Sequence, residues 1–150
     1  MLRPRLFLSA VSTELRSARQ ALARVVRTLG YDPVSQDDFP TGHGELRKWL
    51  REQIDGCEGL IQLVGDGYGA EPAVADPDFG RVSYTQFELL HAMRQGKKTW
   101  VIVIGEHFVR DTPREQLDLP DAASTLEPAA AHAYQAERRA LQRAYRARIE

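Results

Sequence analysis

Four short apolar runs, at residues 6–10, 31–35, 60–64 and 99–104, alternate with three segments whose apolar residues recur at helical spacing. Strands that are almost continuously apolar, separated by amphipathic helices, imply a parallel sheet covered on both faces. The expected fold is therefore α/β, a flavodoxin-like three-layer α/β/α arrangement around a central parallel sheet. Right-handed crossovers place the first strand near the middle of that sheet.

The first helix starts at Ser12, read as its cap, with Leu15, Ala18, Leu22, Val25, Val26 and Leu29 along one stripe. Arg16, Arg19, Arg24 and Arg27 lie on other faces, and Gly30 ends the helix. Pro33 makes the run at 31–35 an edge strand, because it has no amide to give to a ladder. Residues 37–44 form a loop by their Gly and Pro content, and a helix over 45–54 presents Leu46, Trp49, Leu50 and Ile54. After the strand at 60–64 the chain breaks at Gly65-Asp66-Gly67-Tyr68-Gly69. Ser83 and Gln86 then form a capping box for a helix that buries Phe87, Leu90, Ala92 and Met93. Residues 99–104 read as a last buried strand. The expected organisation is one α/β domain over residues 1–106. Residues 107–150 are a Pro-punctuated linker and a C-terminal helix, docked on the domain or leading to a further one.

The composition excludes several functions. The chain has 150 residues, of which 43% are hydrophobic and 27% charged, enough for a real core. A net charge of −1 gives no global field to hold nucleic acid or anionic lipid. The five arginines of the terminal helix, Arg138, Arg139, Arg143, Arg146 and Arg148, are read as a solvated face. Cys57 is the only cysteine, so there is no internal disulfide and no thiolate-rich zinc site, which fits a reducing, cytoplasmic setting. The basic and apolar opening segment is too short for a signal peptide, and no stretch reaches membrane-spanning length. His43, His91, His107 and His132 are scattered, so no metal site is expected. The alternating glycines at 65–69 do not match a dinucleotide fingerprint. A plain turn and a ligand-lining loop through Tyr68 both stay open. Glu88 lies in the second turn of the Ser83-capped helix, at the carboxyl edge of the sheet, where open α/β sheets bind ligands.

Arg5-Leu6-Phe7-Leu8-Ser9 followed by Ser12-Thr13-Glu14-Leu15 resembles the opening strand and helix of TIR-type domains. The similarity is greatest to the divergent bacterial TIR-like domains at the front of larger defence or signalling proteins. Ser83-Tyr84-Thr85-Gln86-Phe87-Glu88 is similar to that family's helix motif, with Tyr84 for its tryptophan, Thr85 for its cysteine and Glu88 for its catalytic glutamate. The resemblance spans about residues 5–104. It implies cleavage of the nicotinamide–ribose bond of NAD+, as substrate and not as cofactor, with Glu88 catalytic. It also implies a pocket wall from Ser9, Ala10 and Val11, packing of Tyr84 on the nucleotide, and a loop opening at Asp38 and Phe39 that closes over it. The implied partners are further copies of the domain, as a homo-oligomer, and a sensor or effector domain. A non-catalytic interaction module and a nucleoside deoxyribosyltransferase-like enzyme are the competing readings.

Overall fold

The computed structural model describes residues 2–40, 45–121 and 126–150. Four parallel strands, β1 (Arg5–Ser9), β2 (Asp32–Val34), β3 (Gly59–Val64) and β4 (Lys98–Val103), form one sheet in the order β2-β1-β3-β4. Helices α1 (Ser12–Thr28), α2 (Leu46–Asp55), α3 (Tyr84–Arg94) and α4 (Pro128–Ile149) cover its faces. This is the expected three-layer α/β/α fold with β1 inside the sheet. β2 is an edge strand, as Pro33 requires. The loop expected at 37–44 is described only as far as Pro40, and Thr41, Gly42, His43 and Gly44 lie outside the described residues.

Period-2 alternation sorts the strand side chains between two layers. Leu6 and Leu8 pack on Val26 and Leu22 of α1, and Ala10 and Leu63 pack on Leu15. Phe7 and Leu60 point the other way, into a cluster with Val34, Leu50, Ile54, Phe87, Leu89 and Tyr145. That larger cluster joins α2, α3 and α4 to one face of the sheet. Ser9 and Gln62 share the Phe7 and Leu60 side, so the alternation that buries the core also aims these two polar side chains toward α3.

Several local expectations are corrected. Ser12 is the first helical residue and not the cap of α1; Val11 holds the cap position, and the Ser12 hydroxyl instead accepts from Arg19 Nη2 at 2.8 Å. Arg19, placed on an outer face by spacing, is 2% exposed, whereas Val25 and Leu29 of the expected stripe are open to solvent. After the kink at Leu15, Arg19 shares one helical face with Leu22, Ala23 and Val26, and Val25 and Leu29 fall outside that face. Met93 is also exposed, because α3 is buried instead through Gln86, Phe87, Glu88, Leu89 and Leu90.

The largest correction concerns β4. It is an edge strand, and Trp100, Val101, Ile102 and Val103 are all more than a third exposed. Among the described residues only β3 pairs with it, so the far edge of β4 has no strand partner. An apolar groove of about 620 Å³ runs between Trp100, Ile102, Ile61, Leu6 and Val26. Such an edge is a template for pairing with another chain. Among the described residues no helix is long and apolar enough to cross a membrane.

Candidate functional site

The carboxyl ends of β1 and β3 and the start of α3 meet above the sheet. The Ser83 hydroxyl accepts from Gln86 N at 3.1 Å, and Gln86 reaches back to Ser83 N, so the expected capping box is formed. It fixes the first turn of α3 and brings Glu88, one turn further, over the end of β1. Glu88 is fully buried. Ser9 Oγ donates to its Oε1 at 2.6 Å and Gln36 Nε2 donates to Oε2 at 2.5 Å. Behind Ser9, Gln62 Nε2 donates to Ser9 Oγ and to Thr85 O, each at 2.8 Å, and the Tyr145 hydroxyl donates to Gln62 Oε1. The donors therefore run in one direction, Tyr145 to Gln62 to Ser9 to Glu88, and each polarises the next. Helix α4 belongs to this support, for Gln142 also bonds Gln86 at 3.0 Å and Gly65 O at 3.1 Å.

Burial pushes the Glu88 carboxyl up from its ordinary 4.5 to about 7; the Ser9 and Gln36 bonds and the Arg19 charge work against that rise. Arg19 is itself held by Ala10 O at 3.0 Å and Asp37 Oδ2 at 3.0 Å. A carboxyl raised toward neutrality at the carboxyl edge of a parallel sheet is suited to acid–base or charge-stabilising work.

The other expected site residues divide into groups. Ser9 touches Glu88 directly, and Ala10 gives its carbonyl to Arg19. Val11 and Tyr84 line one cavity of about 100 Å³ together with Gln36, Gly69 and Thr85, so Gln36 forms both a wall of that cavity and the cover of Glu88. Asp38 lies elsewhere. It closes the capping box of the short turn Gln36–Asp38 through Ser35 N and borders a separate cavity of about 400 Å³ with Arg19 and Arg24. Phe39 packs edge-on against Trp49 at 5.4 Å. Tyr68 is fully buried, with its hydroxyl on Glu71 Oε2 at 2.7 Å and its amide on Asp118 Oδ2 at 2.8 Å.

The glycine-rich segment has its own physical account. Four successive amides meet two carboxylates: Asp66 N and Gly67 N go to Glu14 at 3.1 and 2.9 Å, and Tyr68 N and Gly69 N go to Asp118 at 2.8 and 3.0 Å. A β-carbon on Gly65 would overlap the Glu14 carboxylate. Gly69 has φ +85° and its β-carbon would sit 3.2 Å from Val11, so any other residue there is strained. Glu14 is fully buried and paired with Arg110 at 2.6 Å, and Asp66 gathers Arg110, Arg114 and Arg146. Three of the arginines expected on a solvated face of α4 are thus tied inward: Arg146 to Asp66, Arg138 to Glu71 and Arg139 to Arg114 O.

Sequence reasoning missed Gln36, Glu14, Arg19, Gln62 and Asp118. Gln62 alone carried a signal, as a polar residue in an inward position of an apolar strand. Among the described residues no group of three His, Cys, Asp or Glu side chains converges as a metal site. No curated protein sequence matches the chain. A family model described as a domain of unknown function, DUF4062, matches residues 5–149, a span that takes in α4 as well as the sheet. The chain belongs to the DUF4062 family.

Proposed function

We propose that this domain is a TIR-like NAD+ nucleosidase in which Glu88 is the catalytic carboxylate. The observation that carries this reading is the burial of Glu88 at the carboxyl edge of the sheet, with Ser9 and Gln36 as its hydrogen-bond donors. In the resting arrangement Gln36, a wall of the small cavity, satisfies Oε2 of the buried Glu88. When the Gln36 amide turns away, that oxygen is free to accept from ribose hydroxyls. The C1′–N bond of the nicotinamide riboside then breaks, and the electron pair leaves with nicotinamide, neutralising its ring. The ionised Glu88 stabilises the positive charge left on the ribose ring, as a carboxylate does in glycoside cleavage. Water adds at C1′ and loses a proton to give ADP-ribose; an internal nucleophile in place of water gives a cyclic product. Ser9, held by Gln62 and Tyr145, keeps the second carboxylate oxygen in place throughout.

The reading includes action in the cytoplasm, within bacterial defence signalling, by copies that associate with one another and with a sensor domain. The open apolar edge of β4 supports association, since an edge strand pairs most readily with its own copy across a two-fold axis. The same edge favours the second reading, a non-catalytic module that recruits other such domains. One experiment separates the two: NAD+ is incubated with rising protein concentration, and nicotinamide release and light scattering are followed on the same samples. Turnover per chain that climbs as the oligomer forms is the expected result. Oligomers that release no nicotinamide leave the interaction module as the function.

A further inference from the structure

We propose that the backbone amides of Tyr68 and Gly69 form a binding site for a phosphate or pyrophosphate group, which the Asp118 carboxylate occupies as a stand-in. In naming the pyrophosphate of a dinucleotide as the ligand, the proposal rests on the NAD-cleaving reading above.

Asp118 places one oxygen on each of two successive amides, at 2.8 and 3.0 Å. Consecutive amides that converge on one oxyanion are the general form of a phosphate cradle. The neighbouring pair, Asp66 N and Gly67 N, is not open in this way, because its carboxylate is fully buried and locked to Arg110. Asp118 differs in three respects. It is half-buried, it comes from the segment after β4, and it is the only non-glycine with positive φ among the described residues, at +61°. Aspartate is one of the few residues besides glycine that takes up this conformation as a single residue, and here it aims the carboxylate at the two amides. The segment itself is anchored independently of it. Leu117 is buried, its carbonyl accepts from Gln135 at 2.8 Å, and Arg114 pairs with Asp66 at 2.7 Å. The Asp118 side chain can therefore leave the amides while the segment stays in place.

The surroundings fit a dinucleotide. A cavity of about 200 Å³ borders Asp118, Tyr134 and Arg138, and it shares Thr13, Gly69 and Ala70 as walls with the cavity that Gln36 and Tyr84 line. A ribose at Glu88 and a pyrophosphate at Gly69 would thus occupy adjoining spaces. The Arg138 guanidinium lies on the far side, stacked over the Tyr134 ring and paired with Glu71 at 3.3 Å and Glu137 at 3.9 Å.

The test titrates inorganic pyrophosphate into the full chain and into Asp118→Gly and Asp118→Asn, with the amide resonances of Tyr68 and Gly69 as readout. Glycine adopts the left-handed conformation without strain, so Asp118→Gly removes the carboxylate and keeps the backbone. Asparagine keeps a neutral acceptor, for the case in which the loop needs a partner to fold. A tethered competitor acts at high effective concentration, so its removal is expected to tighten pyrophosphate binding by about tenfold or more. The Tyr68 and Gly69 amides are expected to shift first. Equal affinity in the wild type and both variants, or shifts that bypass those two amides, overturns the site. Binding is read without any cleavage. A variant that gains pyrophosphate affinity in a protein that never releases nicotinamide upholds the site and removes the activity.

Discussion

Glu14→Ala is expected to lower stability by about 3–5 kcal/mol, the range for removing one partner of a buried ion pair. Glu14 has no exposed surface, and its carboxylate serves the Arg110 guanidinium and two loop amides at once. Alanine leaves that guanidinium, itself 3% exposed, with its Asp66 contact at 3.2 Å and two backbone carbonyls. The two amides lose their acceptor as well. For a chain of this size the melting temperature is expected to fall by roughly 6–20 °C. Because Arg110 and Asp111 tie the segment after β4 to α1, that segment should loosen first, and its amides should exchange faster than those of β1 and β3. Urea unfolding and hydrogen exchange check both statements; a loss below about 1 kcal/mol contradicts the buried-pair account.

The second large effect is on pH dependence, in rate and in stability together. The folded-state pKa of Glu88 is raised from 4.5 to about 7, so between those values the folded chain binds a proton that the unfolded chain releases. Relative to Glu88→Gln, wild-type stability is therefore highest below about pH 4.5 and is lost as pH rises through about 7. The full difference is on the order of 3 kcal/mol. On the proposed reading, nicotinamide release runs the other way, because the ionised form is the one that would stabilise a ribosyl cation: kcat/KM is expected to fall about tenfold per pH unit below 7. Paired melts of the two proteins at pH 5 and pH 8, and a rate profile over the same range, read the same group. A stability difference that does not change with pH contradicts the burial of an ionisable Glu88.

How much of this was legible in the sequence follows the range of the interactions. The strand runs around Leu6 and Leu60 and the Ser83–Gln86 box were readable because they depend on neighbours a few residues away. The Glu88 position was readable because the capping box fixes where α3 begins and the sheet edge fixes what it faces. Gln36 and Asp118 were not. Each acts on a residue about fifty positions distant, and nothing in their own surroundings marks them. Arg19 was hidden because an arginine beside an apolar stripe reads as solvent-facing, whereas its partners Ala10 O, Ser12 and Asp37 lie at the end of β1 and in the turn after β2. The exposure of β4 was hidden for a different reason: an apolar strand reads the same in the middle of a sheet and at its edge, and only the count of strands beside it decides. The terminal arginines looked like a solvated face because their partners, Asp66 and Glu71, belong to loops earlier in the chain.

The proposed role of Glu88 is to stabilise the charge that develops as the nicotinamide–ribose bond breaks. The most direct measurement is nicotinamide release from NAD+ at pH 8 by concentrated wild type and Glu88→Gln side by side, with circular dichroism confirming that both are folded. Release by the wild type is expected, with a rate lower by about two to three orders of magnitude in the variant, the usual cost of removing a charge-stabilising group. Equal release by two folded proteins, or none by either at concentrations where the wild type has associated, contradicts that role.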